Sequence, residues 1–188
     1  MKAIGALAGL LAKVPGIAEH FCTKETERCE SLQDGGVNIE GLAARGGNLY
    51  FGFRSPAPSG KAFILRVAET AIFGHGDRNL ETIRVELGQD ASGRDLGIRD
   101  LAVVADGLLI LAGPSLPEGD DAVGSGQIFH WREADGELRP LKKLKVEKSG
   151  VKPEVLLLLS ETPADYRTLV ICDGPTGGSP MEYQIQKR

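Results

Sequence analysis

Cysteine and histidine are scarce in this chain, with three of each among 188 residues. Cys22, Cys29 and Cys172 cannot all pair within one chain, and no C-x-x-C occurs, so the simplest account is reduced thiols in a cytoplasmic protein. Cys172 sits in the apolar run LVIC and reads as a small buried hydrophobe. His20, Cys22 and Cys29 lie near one another, but no fourth ligand accompanies them, and a zinc site is not expected. His75 in FGHGD and His130 beside Trp131 have no catalytic partners in sequence and read as surface or packed side chains. Neither G-x-S-x-G nor H-E-x-x-H is present. SPAPSGKA at 55–62 lacks the first glycine of a P-loop, and GPTGGSP at 174–180 is followed by no helical pattern.

Long apolar runs are missing too, and nothing approaches the roughly 20 residues that span a membrane. The nine uncharged residues from Ile4 to Ala12 carry two glycines and end at Lys13. Export through a signal peptide is the alternative they leave open. Ile4, Leu7, Leu11 and Val14 form one stripe of an amphipathic helix, predicted over 3–14 and stopped by Pro15-Gly16. A basic excess is also absent: 22 basic against 26 acidic residues give a net charge of −4. The one basic run, Lys142 to Lys148, alternates with Leu144 and Val146, as the solvated face of an edge strand does. Nucleic acid and membrane are not expected partners.

Glycine and proline are plentiful, 25 and 10 residues. That much punctuation excludes a bundle of long helices, while 41% hydrophobic residues exclude wholesale disorder. Their order is repetitive. NIEGLA (38–43) matches GIRDLA (97–102) without gaps at an offset of 59. Each is followed by an apolar run ending in a proline turn, LYFGF-RSP and LLILA-GPS. Then come KAFILRV and GQIFHWR, and after them LETIRVEL and LRPLKKLKV. A third copy runs PEVLLLLS, TLVICDGP, MEYQIQ and stops with three strand candidates.

Units of roughly 50–60 residues with four short strands and Gly/Pro/Asp/Asn turns have the content of a propeller blade. The pattern predicts strands near 38–44, 48–53, 61–67, 80–87, 98–104, 107–112, 126–132, 138–145, 154–160, 168–172 and 181–186. The fold class is mostly β, a partial β-propeller-like array of about three four-stranded antiparallel blades with one short N-terminal helix. As a single domain 1–188 it divides into helix and connector (1–37), repeat 1 (38–95), repeat 2 (96–150) and an incomplete repeat 3 (151–188). Closed propellers need typically 4–8 blades.

At NIEGLA–LYFGFRSP, GIRDLA–LLILAGPS and PEV–LVICDGP the chain resembles a bacterial family catalogued as domain of unknown function 3616. The resemblance covers nearly the whole chain, and its specificity lies in the combined order of the motifs. It implies a propeller-like fold and additional blades ahead of this stretch, but no activity. One departure is Glu154-Val155-Leu156, where the family pattern has EGI.

Aligning the repeats places Glu40, Arg99 and Glu154 at one equivalent first-strand position, with Asp100 beside Arg99. Arg54 and Asp173 fall at the ends of second strands. Carboxylates converging from successive blades suit a small ligand or a hard cation such as Ca²⁺, or an acid/base pair. Opposite charges on neighbouring strands equally suit ion pairs that hold blades in register. The residues assign no reaction, and no cofactor is required. Two functions stay open, a ligand- or cation-binding propeller and a non-enzymatic interaction scaffold or self-assembling half-propeller. Open ends near Tyr50, Phe51, Ile110, Val170 and Ile171 lead to an expected homo-oligomer or a missing propeller half, with six blades closed by symmetry or one end covered by the N-terminal segment.

Overall fold

The computed structural model describes residues 2–20, 36–74, 80–116, 125–146 and 150–187, with the side chains of 2–6 outside that set. Cys22, Cys29, His75 and Lys148 therefore lie outside the described residues. Among the described residues are helix α1 (Lys2–Leu11), then eleven strands with a second α-helix among them. The strands are β1 (Asn38–Arg45), β2 (Asn48–Ser55), β3 (Lys61–Ala68), β4 (Leu80–Glu86), β5 (Leu96–Val104), β6 (Gly107–Pro114), β7 (Gly126–Arg132), β8 (Leu138–Leu144), β9 (Lys152–Glu161), β10 (Asp165–Asp173) and β11 (Met181–Gln186). Every predicted strand is present within a few residues.

The predicted helix 3–14 ends at Leu11, and single turns continue to His20. Gly16, at φ 83°, lies within those turns in a conformation that glycine adopts freely. Helix α2 (Glu69–Phe73) was not expected. Its five residues ETAIF are too few to show a helical period, and Ala71 and Ile72 are held by packing rather than by propensity.

Three antiparallel sheets result, each a meander in chain order: β1-β2-β3-β4, β5-β6-β7-β8 and β9-β10-β11. The third has three strands, matching the incomplete third repeat. Tight turns make the meanders possible. Arg45 pairs with Asn48 around Gly46-Gly47, both at positive φ (55° and 74°), as a two-residue hairpin in the favoured twist requires.

The sheets stack face to face. One face of the first (Ala43, Tyr50, Ala62, Ile64, Val85) packs on one face of the second (Ile98, Leu108, Ile110, Phe129, Trp131). The other face of the second (Ala102, Val104, Leu109, Leu111, Ile128) packs on the third (Leu156, Tyr166, Val170, Ile185). Strand β6 is covered on both sides and buried along its whole length, which is why it reads as one continuous apolar run. The free face of the first sheet (Phe51, Phe53, Phe63, Leu65, Val67) is sealed by Leu10, Leu11, Val14 and Ile17 and by Ala71 and Ile72 of α2.

One of the two expected open ends is covered. Tyr50, Phe51, Ile110 and Val170 are buried, whereas Ile171 stays half-exposed and Leu157 and Leu159 exposed on the third sheet. The N-terminal segment covers the first sheet, and the three sheets do not close into a ring.

First strands neighbour one another, β1 against β5 and β5 against β9. The first two sheets approach closely at a glycine: a Cβ on Gly97 would sit 1.9 Å from the carbonyl oxygen of Arg54. Gly97→Ala is expected to push the sheets apart and cost about 1–3 kcal/mol, the usual price of overpacking. Chemical denaturation checks it; an unchanged midpoint would mean that the contact relaxes freely.

Candidate functional site

The charged residues of the first strands share a backbone cause. In β1, Ile39 pairs with Phe53 and Gly41 with Gly52, leaving Glu40 as an extra residue. In β5, Ile98 pairs with Ala112 and Asp100 with Leu111, leaving Arg99. In β9, Val155 pairs with Ile171 and Pro153 with Cys172, leaving Glu154. Each is the surplus residue of a β-bulge, a device that re-aims a side chain out of the ordinary alternation. Arg54 is likewise unpaired on β2, between Phe53 and Ser55.

The bulges bring four of the six candidate residues into one network. Arg99, with its side chain only 2% exposed, donates from Nη1 to Glu154 Oε1 at 2.6 Å and to Glu40 Oε2 at 3.4 Å. Its Nη2 donates to the carbonyl of Pro114 at 3.2 Å. Arg54 donates from Nη1 to Glu40 Oε1 at 3.0 Å, and from Nε and Nη2 to the carbonyls of Pro114 and Leu116, both at 3.2 Å. Asn38 Nδ2 adds a bond to Glu40 Oε1 at 2.9 Å. Two cations and two anions thus tie the first strands of all three sheets together. Burial pushes the Glu154 carboxyl above its usual range; Arg99 opposes that shift and Glu40 adds to it.

Asp100 belongs to the same seam in a different way. Its Oδ2 accepts the N–H of Leu156 in the third sheet at 2.8 Å, and its Oδ1 the N–H of Leu101, also at 2.8 Å. Burial raises its pKa, partly countered by those two bonds. Asp173 is not brought in. Its carboxylate accepts the N–H of Gly174 at 2.8 Å, at the exposed end of β10.

A second ionic seam escaped the sequence reading. Glu133, just past β7, accepts from Tyr50 Oη at 2.5 Å, from Arg45 Nε at 2.8 Å and from Arg66 Nη1 at 3.4 Å. Arg45 also donates to the carbonyls of Val104 and Ala105, at 3.2 and 2.9 Å. Glu133 lies 83 residues from Tyr50, and no repeat position singles it out. The bond from Tyr50 first, then Arg45, holds its carboxyl below the usual range. Within the second sheet His130 Nε2 meets Asp106 Oδ1 at 2.9 Å, and its ring lies 5.9 Å from that of Tyr166 in the third. Burial pushes the Tyr166 hydroxyl up to about 12.

Two clefts lie away from this seam. A cleft of about 500 Å³ is lined by residues such as Asp90, Leu96, Ser125, Gln127 and Lys143, and a smaller one of about 170 Å³ by Ser55, Pro56, Asp95 and Ser115. Neither is lined by Glu40, Arg99, Asp100 or Glu154. Among the described residues, no three His, Cys, Asp or Glu side chains converge in a group that could hold a metal ion. No helix among them is long and apolar enough to cross a membrane. Cys172 is a free, buried thiol whose pKa burial raises.

The fold and the seam together define an antiparallel array of three meander sheets, joined along their first strands by ion pairs. Residues 30–180 match the profile of a protein family of unknown function, DUF3616, and the chain belongs to that family. No curated protein and no solved structure matches the chain.

The two seams respond oppositely to acid. Glu133 titrates lower in the folded chain than in the unfolded one, so its stabilisation is present above the ordinary Glu range and is lost as pH falls through the folded value. Glu154 titrates higher when folded, so stability referred to it falls as pH rises from the ordinary Glu value through the raised one. Glu133→Gln is therefore expected to destabilise the chain at pH 7 and to lose that deficit toward pH 3. Urea melts at the two pH values measure it, and a pH-independent deficit would contradict the depressed pKa.

Proposed function

We propose that this chain is a non-enzymatic interaction scaffold of propeller type, its three sheets standing as successive blades. The blade reading is supported by the meander order, by the neighbouring first strands and by one bulge recurring at the same place in each repeat. The observation that carries the scaffold reading is the pairing of the seam's glutamates: Glu40 and Glu154 are spent on Arg99 and Arg54. A catalytic carboxylate needs a reactant within reach and an open pocket, and the clefts lie elsewhere. Arg54 Nε and Nη2 and Arg99 Nη2 are directed at main-chain carbonyls.

A second reading keeps one supporting observation. Arg99 Nε is buried without a hydrogen-bond partner. Such an atom is costly, and a small ligand carrying an acceptor would satisfy it. Ca²⁺ suits the seam less well, because two guanidinium groups already occupy the positions where a cation would sit.

Glu40→Gln separates the two readings. A scaffold loses charge-assisted bonds to Arg54 and Arg99, each worth about 1.5–3 kcal/mol when well buried. Because the Glu40 side chain is 23% exposed, the low end applies to each, about 3 kcal/mol for the two and a fall in melting temperature of roughly 6–12 °C. Millimolar Ca²⁺ leaves the wild-type melt unchanged on this reading. A melting temperature raised by Ca²⁺ in the wild type but not in Glu40→Gln would replace the scaffold with a cation-binding protein.

A further inference from the structure

We propose that the cleft of about 500 Å³ at the ends of β7 and β8 binds a small organic anion, an acidic group carried on a short apolar body. Its volume falls in the range of about 300–1,000 Å³ that small-molecule sites occupy. One wall is held in place by a buried carboxylate. Asp90, with its side chain only 4% exposed, accepts the N–H groups of Ser92 and Arg94 at 2.8 and 3.0 Å. It also accepts from Arg94 Nε at 2.6 Å and from Ser125 Oγ at 3.0 Å. Those bonds fasten the turn ahead of β5 to the residue that leads into β7, so the wall is formed before any ligand arrives. They also spend the one carboxylate that lines the cleft among the described residues. A cationic ligand would have to displace Arg94 from it.

The opposite wall carries charge that is not spent. The lysines of β8 divide by what each one meets. Lys142 Nζ lies 5.8 Å from the centre of the Tyr183 ring in the third sheet, a cation–π contact. Lys143 and Lys145 line the cleft instead, and among the described residues neither has a hydrogen bond, ion pair or ring contact. Gln127 pairs with Lys143 in the ladder and lines the cleft too, its amide likewise without a partner among those residues. Leu144, between the two lysines, is buried in the core, and with Leu96 it gives the cleft an apolar lining. Two uncompensated ammonium groups and an idle amide beside apolar side chains favour an anion with an apolar body over a cation. The site does not depend on the role of the Arg99 seam, which does not line this cleft.

Titration of the full ¹⁵N-labelled chain with hexanoate, followed through backbone amide shifts, tests the proposal. Shifts at Ser125–Gln127 and at Lys143–Lys145 are expected to saturate together. Hexylammonium, of equal apolar length and opposite charge, is expected to leave those amides unshifted. Acetate, which keeps the carboxylate and loses the apolar chain, is expected to bind about tenfold more weakly, as burial of two methylenes implies. The double variant Lys143→Gln, Lys145→Gln is expected to bind hexanoate about tenfold more weakly, the sum of two exposed charge contacts. Its amide spectrum elsewhere is expected to stay that of the wild type, because both side chains are exposed. Lys13→Gln, at an exposed position beyond α1, is expected to bind as the wild type does. Shifts that do not saturate, hexylammonium or acetate binding as tightly as hexanoate, or a double variant with unchanged affinity would each overturn the proposal.

Discussion

The burial of Arg99 constrains the rest of the structure. A guanidinium cannot give up its charge at any ordinary pH, and removing it from water costs several kcal/mol unless anions and acceptors replace the solvent. Here the replacement comes from three separate units: Glu40 of the first sheet, Glu154 of the third and the Pro114 carbonyl of its own sheet. No single sheet could satisfy this residue. Its position therefore sets the relative placement of all three, and the bulges at residues 40, 99 and 154 deliver the side chains to one place.

Apolar faces supply most of the driving force and little of the register. The pleated faces meeting in the stack are lined by Leu, Ile, Val and Ala, which tolerate sliding because dispersion and area burial are not directional. Polar seams are directional. Arg99 and Arg54 lock the stack along the first strands, and Glu133 locks the first two sheets through Tyr50, Arg45 and Arg66. Gly97 and Gly52 permit the close approach that brings those groups within bonding distance, the latter lying where a Cβ would meet Ile98 Cγ2 at 2.6 Å. Glycine in the repeat motifs is thus as much a packing requirement as a turn signal.

The same seam shapes the functional reading. Placing opposite charges at equivalent positions of successive repeats gives Glu, Arg, Glu, and Arg54 supplies the second positive charge that balances the two glutamates. An array meant to concentrate negative charge for a cation would repeat one sign. Membership of DUF3616 adds the family without a chemistry, and the role is read from where the charges are spent.

By itself the sequence determined the strands, their meander order and the shared position of Glu40, Arg99 and Glu154. Those follow from local information: alternation of apolar residues, turn residues at fixed places, and repetition at an offset of 59 between Glu40 and Arg99. The solvated lysines of β8 were legible for the same reason. Tertiary structure alone decided the rest. That Asp173 stays outside the cluster, that Glu133 organises a second seam, and that residues 7–17 seal one end of the stack all depend on contacts between segments far apart in the chain. Composition carries no record of such distances. The face on which Tyr50 or Phe51 lies is set by a pleat the sequence does announce, but what covers that face is set by the path of the whole chain.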